Sequence, residues 1–296
     1  MIPDLEILSP GSVNEVVELL SKNKPGTKLL AGGTDIIPGF QIDSNRFLDI
    51  DCLIDLARVN EMKSISESDD EITIGAACSF DDISSNKIII DNFPLLSEAA
   101  NAIGSPQIRN RATIAGNFIN NAPCADTVPP LLVYDALIEK ISIEGKQRTS
   151  LEETLLVPYQ TTVKPNEIVT KIIIPKKIKN YYGTFYKLGR RRGVAISRIT
   201  LAILLLVEDD KIKDMKIASG AVTPIGMRLR ELEESCIGKS PGKELFMEVS
   251  KNLGKKILDV TGLRWSSHYK VKVVQQMLYQ LLEKLYMEFK EPEIEK

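Results

Sequence analysis

The sequence predicts an α+β fold, because strand-like and helix-like segments follow one another in no regular order. Short apolar strands broken by glycine turns fill the first part of the chain. Three longer strand-like runs come next, and the tail is helical. No internal repeat or low-complexity tract competes with this reading.

Taken in order, Ser12 followed by Glu15 has the form of a helix capping box, with Val16, Val17, Leu19 and Leu20 as the buried stripe. That helix is expected to stop near Asn23, Pro25 and Gly26. Residues 27–31 read as a short strand running into Gly32 and Gly33, and residues 48–51 and 71–76 as two more. Helical spacing spans 94–102 and ends at Gly104, Ser105 and Pro106. The strongly apolar run 131–137 continues into a hairpin over 138–143, turning at Glu144 and Gly145. Residues 168–175 form an apolar strand closed by Pro175, and the polar, basic stretch 176–180 marks a boundary. Beyond it, residues 181–188, 196–208 and 213–222 suggest a three-stranded antiparallel meander. Within it, 199–207 also suits a buried helix. Val271, Val274, Met277 or Leu278, Leu281, Leu282 and Leu285 recur at helical spacing.

The composition narrows the functional classes. With 296 residues, 43% of them apolar and 26% charged, the chain has enough material for a sizeable core in more than one lobe. A net charge of −2 leaves no broad cationic face, so nucleic acid is not an expected partner. No apolar run reaches the roughly 18 residues that span a bilayer. The N-terminal residues lack the basic and apolar regions of a secretory signal. A cytoplasmic protein away from the membrane is expected. Cys52, Cys78, Cys124 and Cys236 are too scattered for a zinc or iron–sulfur site and read as free, mostly buried thiols. His268 is the only histidine, so a catalytic triad or histidine-rich metal site has little to build on. No catalytic residue or metal ligand is assigned. The chemistry must be carried by something the chain binds.

Two glycine segments indicate what that is. Leu29, Leu30, Ala31, Gly32, Gly33, Thr34, Asp35 and Ile36 form a strand end, paired glycines and a hydroxyl residue. Such a loop can present consecutive backbone N–H groups to phosphate oxygens, the alternative being a plain tight turn. It is neither a Walker A loop nor a GxGxxG fingerprint. Thr113, Ile114, Ala115, Gly116 and Asn117 suggest a second such nest, with the Asn117 amide beside it. Asp126 suits ribose or ribityl hydroxyls, or alternatively a helix N-cap or turn. Together the loops suit a ligand with a pyrophosphate and several hydroxyls.

The strings LLAGGTDI, TIGAACSF, IRNRATIAGNF with PCADTVP, and FYKLGRRRGVAIS resemble, in order and over essentially the whole chain, the FAD-binding subunit of molybdenum hydroxylases. Members include the flavin subunits of xanthine, carbon monoxide and nicotinate dehydrogenases, and the nicotinate type is the nearest expectation. The resemblance implies a two-lobed FAD-binding domain of the vanillyl-alcohol-oxidase type over residues 1–177, with lobes of about 1–58 and 59–177. An α+β C-terminal domain over 178–296 follows. It implies non-covalent FAD, with the pyrophosphate held by residues 29–36 and 113–117. Ala115 departs from the family, which usually has glycine there; its methyl requires a negative φ or a slightly relaxed loop. By the same resemblance Ile103 and Val169 are apolar walls of the flavin, and Asp126 is an acidic contact. Lys187 is a lysine reaching the cofactor from the C-terminal domain; a solvated surface lysine is the alternative.

The resemblance further implies partners: one or more molybdopterin-binding large subunits and a small 2Fe–2S subunit. Electrons would pass from the clusters to FAD, then to NAD, NADP or another acceptor, during hydroxylation of a small, N-heterocyclic substrate. Arg190, Arg191 and Arg192 suit a 2′-phosphate, a partner surface or a solvated turn. A stand-alone flavoenzyme of the same fold and a non-catalytic assembly subunit are the competing readings.

Overall fold

In the computed structural model, residues 3–22, 24–176, 180–191 and 193–291 are described. Asn23, Arg192 and the boundary expected at 177 lie outside them.

Strand β1 (Glu6–Leu8) leads into helix α1 (Val13–Ser21). Ser12 caps the helix by accepting the Glu15 N–H at 3.2 Å, but the Glu15 carboxylate takes the Gly11 N–H at 2.8 Å rather than that of Ser12. The expected capping box is therefore only half made, its return bond displaced by one residue. Strand β2 (Thr27–Leu30), helix α2 (Ile36–Gln41) and strand β3 (Cys52–Asp55) complete a parallel three-stranded sheet in the order β1-β3-β2. The strand expected at 48–51 thus begins later, at Cys52. Leu48 is 62% exposed, and Ile50 turns into a small core with Phe40 and Leu53. Apolar residues marked the right neighbourhood, but the ladder begins only where Asp51 and Cys52 donate to Gly26.

The second unit begins with β4 (Ile65–Glu67) and β5 (Glu71–Gly75). Six helices follow: α3 (Phe80–Ser85), α4 (Lys87–Asn92), α5 (Pro94–Asn101), α6 (Pro106–Arg109), α7 (Ile114–Asn120) and α8 (Val128–Val133). Then come β6 (Leu137–Ser142), β7 (Gly145–Ser150), α9 (Leu151–Thr154), the small pair β8 (Leu155–Val157) and β9 (Gln160–Thr161), and β10 (Ile168–Pro175). The antiparallel sheet order is β4-β5-β10-β6-β7, and α1 packs against β6 and β10. The apolar run expected over 131–137 is divided: its first part belongs to α8. Pro129 and Pro130 stand in the first turn of α8, where a missing N–H interrupts no helical bond, and only Leu137 joins the hairpin.

The third unit is the meander β11 (Tyr182–Gly189), β12 (Ser197–Glu208) and β13 (Lys211–Gly220), extended by a short fourth strand, β14 (Met227–Arg228). Helices α10 (Arg230–Glu234), α11 (Lys243–Thr261) and α12 (Ser267–Lys290) follow. The middle strand β12 settles the helix-or-strand ambiguity. Ile199, Leu201, Ile203 and Leu205 face α11 and α12, while Ala202 and Leu204 join the core of the second unit. A strand covered on both faces reads as a continuous apolar run, which periodicity alone cannot assign. Among the described residues no helix is long and apolar enough to cross a membrane.

One buried ionic network ties the third unit to the second. The Arg228 guanidinium donates twice to Glu233 at 2.7 Å, to Asp135 at 2.7 Å and to the Leu132 carbonyl at 3.0 Å. Replacing it with alanine leaves the Glu233 carboxylate, only 7% exposed, without its cation. Breaking such a pair costs about 3–5 kcal/mol. Arg228→Ala is therefore expected to lower the unfolding free energy from urea titration by that amount, and an unchanged midpoint would show that the network adds nothing.

Candidate functional site

The first glycine loop joins β2 to α2. Gly33 has φ +72°, a backbone conformation that favours glycine. At Gly32 the constraint is contact: a Cβ there would lie 2.0 Å from the Arg111 carbonyl oxygen. The first loop therefore rests directly on the segment that enters the second. Within it, the N–H groups of Gly32, Gly33, Thr34, Asp35 and Ile36 make no hydrogen bond among the described residues, whereas Ile37 N–H already returns to Gly33 at 3.0 Å. Five consecutive open donors around a left-handed glycine form a nest suited to an anion. Leu29, Leu30 and Ala31 are half-buried supports beneath it.

The second loop is built differently from the expected open nest. Thr113 is extended and caps α7, its hydroxyl accepting the Gly116 N–H at 3.2 Å and its carbonyl the Asn117 N–H at 3.1 Å. Ile114 N–H goes to the Cys78 carbonyl at 3.0 Å and Ala115 N–H to the Ala76 carbonyl at 3.2 Å. These four amides are already bonded inside the protein, so the expectation of a second row of free N–H groups is corrected. The Ala76 and Cys78 acceptors lie in the string TIGAACSF, which acts as scaffold for the second loop. Ala115 is helical and keeps an ordinary negative φ, so its methyl is accommodated without strain. Asn117 accepts the Thr127 hydroxyl at 2.7 Å, leaving its NH₂ as the donor this loop can offer a ligand.

Asp126 is buried, and both of its oxygens are engaged. Lys187 Nζ lies 2.7 Å from one, and the Ser197 hydroxyl donates to the other. Burial raises the Asp126 carboxyl above the usual aspartate range, with Lys187 and then Ser197 pulling the other way. Lys187 also donates to the Ala102 carbonyl at 2.8 Å, one residue before Ile103, so it is a fastening between units rather than a solvated lysine. Ile103 is half-buried and its carbonyl accepts Arg109 Nη1 at 3.3 Å. Val169 is a core residue of β10, 6% exposed. Cys124 stands beside this group, its thiol pushed up by burial and then by the Asp126 and Asp35 carboxylates, so it is a poor nucleophile. Cys78 is pushed up to about 12, chiefly by burial.

The structure thus gathers Gly32 to Ile36, Thr113 to Asn117, Asp126 and Lys187 around the meeting of three units. Two residues that sequence reasoning passed over belong with them. Thr127 holds Asn117, and Ser197 holds Asp126. Thr127 follows Asp126 directly and Ser197 closes the string FYKLGRRRGVAIS, so position in a motif was the available signal. A separate concavity of about 470 Å³ around Lys239 and Glu244 contains none of these residues.

The Asp126–Lys187 pair has side chains only 6% and 12% exposed. Asp126→Ala leaves the ammonium with the Ala102 carbonyl alone and is expected to cost about 3–5 kcal/mol. The double variant Asp126→Ala, Lys187→Met should recover part of that loss, because it removes the stranded charge. Urea titrations of the two single variants and the double one measure this coupling. Strict additivity would show the pair to be uncoupled.

Comparison with known proteins is consistent along the chain. Residues 3–177 match the FAD binding domain in molybdopterin dehydrogenase, and residues 184–285 match the CO dehydrogenase flavoprotein C-terminal domain. The glyceraldehyde dehydrogenase medium chain of Sulfolobus acidocaldarius is 30% identical over 273 residues, covering 92% of this chain and 95% of that one. The nicotinate dehydrogenase FAD-subunit of Eubacterium barkeri is 28% identical over 94% of this chain and 95% of its own. A solved carbon monoxide dehydrogenase from Hydrogenophaga pseudoflava superposes with a TM-score of 0.89 at 26% identity, covering 97% of this chain and 99% of that one. With the glycine nest and the C-terminal meander in place, the chain belongs to the family of FAD-binding flavoprotein subunits of the molybdopterin dehydrogenases, and is an oxidoreductase subunit with FAD as its cofactor.

Proposed function

We propose that this chain is the cytoplasmic electron-transfer subunit of a multi-subunit molybdenum hydroxylase, linking iron–sulfur clusters to NAD or NADP. Its partners are one or more molybdopterin-binding large subunits and a small 2Fe–2S subunit. The organic substrate is a small N-heterocycle of the nicotinate type, bound on another chain. The E. barkeri relative supports that substrate class, and the S. acidocaldarius relative sets an aldehyde as the competitor. We divide the chain at 177 into a FAD-binding domain, with lobes of about 1–58 and 59–177, and a C-terminal domain.

The observation that carries this reading is the row of five open amides beside Asp126 and Lys187. Bound FAD supplies the redox chemistry, exchanging electrons one or two at a time, while the protein binds, orients and tunes it. The Gly32 to Ile36 amides hold the pyrophosphate. Thr113 keeps the second loop in shape, and the Asn117 NH₂ donates from it. The remaining lone pairs of Asp126 accept from ribose or ribityl hydroxyls, and Lys187 fixes that carboxylate in place. Ile103 and Val169 form the apolar wall.

Acid precipitation of the purified protein should release FAD into the supernatant, showing that the cofactor is not covalently attached. Gly33→Val forces a branched residue into positive φ, a strain of about 1–3 kcal/mol that should lower FAD affinity on the order of tenfold or more. Fluorescence titration with FAD checks this. Full affinity in the variant would remove the first loop from the site.

A second experiment tests the electron order. In the intact complex stripped of FAD, substrate should still reduce the iron–sulfur clusters, while reduction of the nicotinamide acceptor should cease. Lys187→Ala should show a milder form, with slower acceptor reduction and a shifted flavin spectrum. Rapid-mixing spectroscopy reads both steps. Loss of cluster reduction in the stripped complex, or direct flavin bleaching by substrate with no partner chain present, would overturn the assignment.

A further inference from the structure

A second cleft, of about 260 Å³, opens where the C-terminal helices meet the second unit. Pro123 and Pro158 form one wall; residues 221–224, Thr261, Arg264 and the first turn of α12 form the others. No carboxylate lines it. Arg264 and Lys270 do, and Arg198 stands near them: burial first, then the Arg198 and Arg264 charges, lowers the Lys270 ammonium below the usual lysine range. Among the described residues none of these three cations makes an ion pair. Asp126, near in sequence to Pro123, is already paired with Lys187.

The donors are only partly used. Lys270 Nζ gives one bond, to the Ala221 carbonyl at 3.0 Å, and Arg264 gives only Nε, to the Thr261 carbonyl at 3.2 Å. Among the described residues, both terminal guanidinium nitrogens and the Ser266 hydroxyl have no protein partner. Ala221 itself is held at φ +60°, its N–H on the Pro123 carbonyl at 2.7 Å and the next N–H, of Val222, on the Gly220 carbonyl at 2.7 Å. A three-residue turn of that hand is strained for any residue with a side chain, and strain of this kind gathers at functional sites. Here it aims the Ala221 carbonyl at Lys270.

We propose that this cleft is a binding site for a phosphate-class dianion, with Arg264 and Lys270 as its direct contacts and Arg198 as a supporting charge. Three like charges without an acid repel one another, and a doubly charged anion relieves that repulsion where a neutral ligand does not. The planar fork of Arg264 suits two phosphate oxygens, and Lys270 supplies a point charge. At about 260 Å³ the cleft leaves space for a phosphate and part of whatever carries it. Free phosphate and the phosphoryl group of a nucleotide share this chemistry.

The single tryptophan, Trp265, is 89% exposed but stands in the chain between the cleft residues Arg264 and Ser266, so its fluorescence is followed as a local probe. The full chain as purified is titrated with inorganic phosphate at constant ionic strength, with chloride as control, and calorimetry runs in parallel. A saturable response to phosphate and none to chloride is expected. Loss of one charge-assisted contact should weaken binding on the order of tenfold or more in Arg264→Gln, and again in Lys270→Gln. Arg264 is exposed and outside the core, so its replacement leaves the fold intact. Displacement of phosphate by NADP but not by NAD identifies the 2′-phosphate of a nucleotide as the natural dianion; displacement by neither identifies free phosphate. No saturable phosphate binding by either method, or equal binding by the parent and Arg264→Gln, overturns the proposal. Failure of FAD to bind would leave this test unaffected, because no flavin contact enters it.

Discussion

Gly32 and the Arg111 carbonyl touch so closely that no side chain fits between them, and the arrangement of the candidate site follows from that contact. It sets the end of the parallel sheet against the segment that becomes the second loop. With Arg111 fixed there, Ala112 receives the Phe80 N–H at 3.1 Å and Thr113 is drawn into a bridge with Ser79. The start of α7 is then pinned to the carbonyls of Ala76 and Cys78. Two loops far apart in sequence thereby take complementary forms: one keeps its amides open, and the other closes its own to become rigid. A ligand held by the open loop leans on a support that cannot rearrange to compete for it.

The legibility of the sequence followed the range of the interactions. The Ile168–Pro175 strand, the meander and the tail helix were readable because each carries its signal in its own residues. The strand placed at 48–51 was displaced, because ladder registry depends on Gly26 and Glu6 rather than on local apolarity. Helix α8 was hidden in an apolar run that periodicity could not divide, although its paired prolines marked a first turn. Helix α11 carried the signal at Leu245, Phe246, Val249, Leu253 and Ile257 and went unread, Gly254 interrupting the pattern.

The site was legible to the same degree. Motif order singled out the glycine loops, Asp126 and Lys187, which the structure brings together. It could not reveal that the amides of Ile114 and Ala115 were already bonded, since their acceptors, Cys78 and Ala76, lie on a distant segment; those of Gly116 and Asn117 are taken locally by Thr113. Nor could it show Asp126 and Lys187 bound to each other, a pairing across 61 positions made only when the third unit docks. The scattered cysteines behaved as read: Cys52, Cys78 and Cys236 are buried and Cys124 is half-buried, all of them free thiols.

The two-sided burial of β12 has a consequence for inheritance. Its alternate residues serve two different cores, so the C-terminal meander is a party wall rather than an appendage. Ala202 and Leu204 must fit α5 and α8 on one side while their neighbours Ile203 and Leu205 fit α11 and α12 on the other. A substitution that suits one neighbour is judged by both, and a recombination joint placed between the units would strip an apolar surface from each. A change of volume in either core is therefore felt by the other through this one strand.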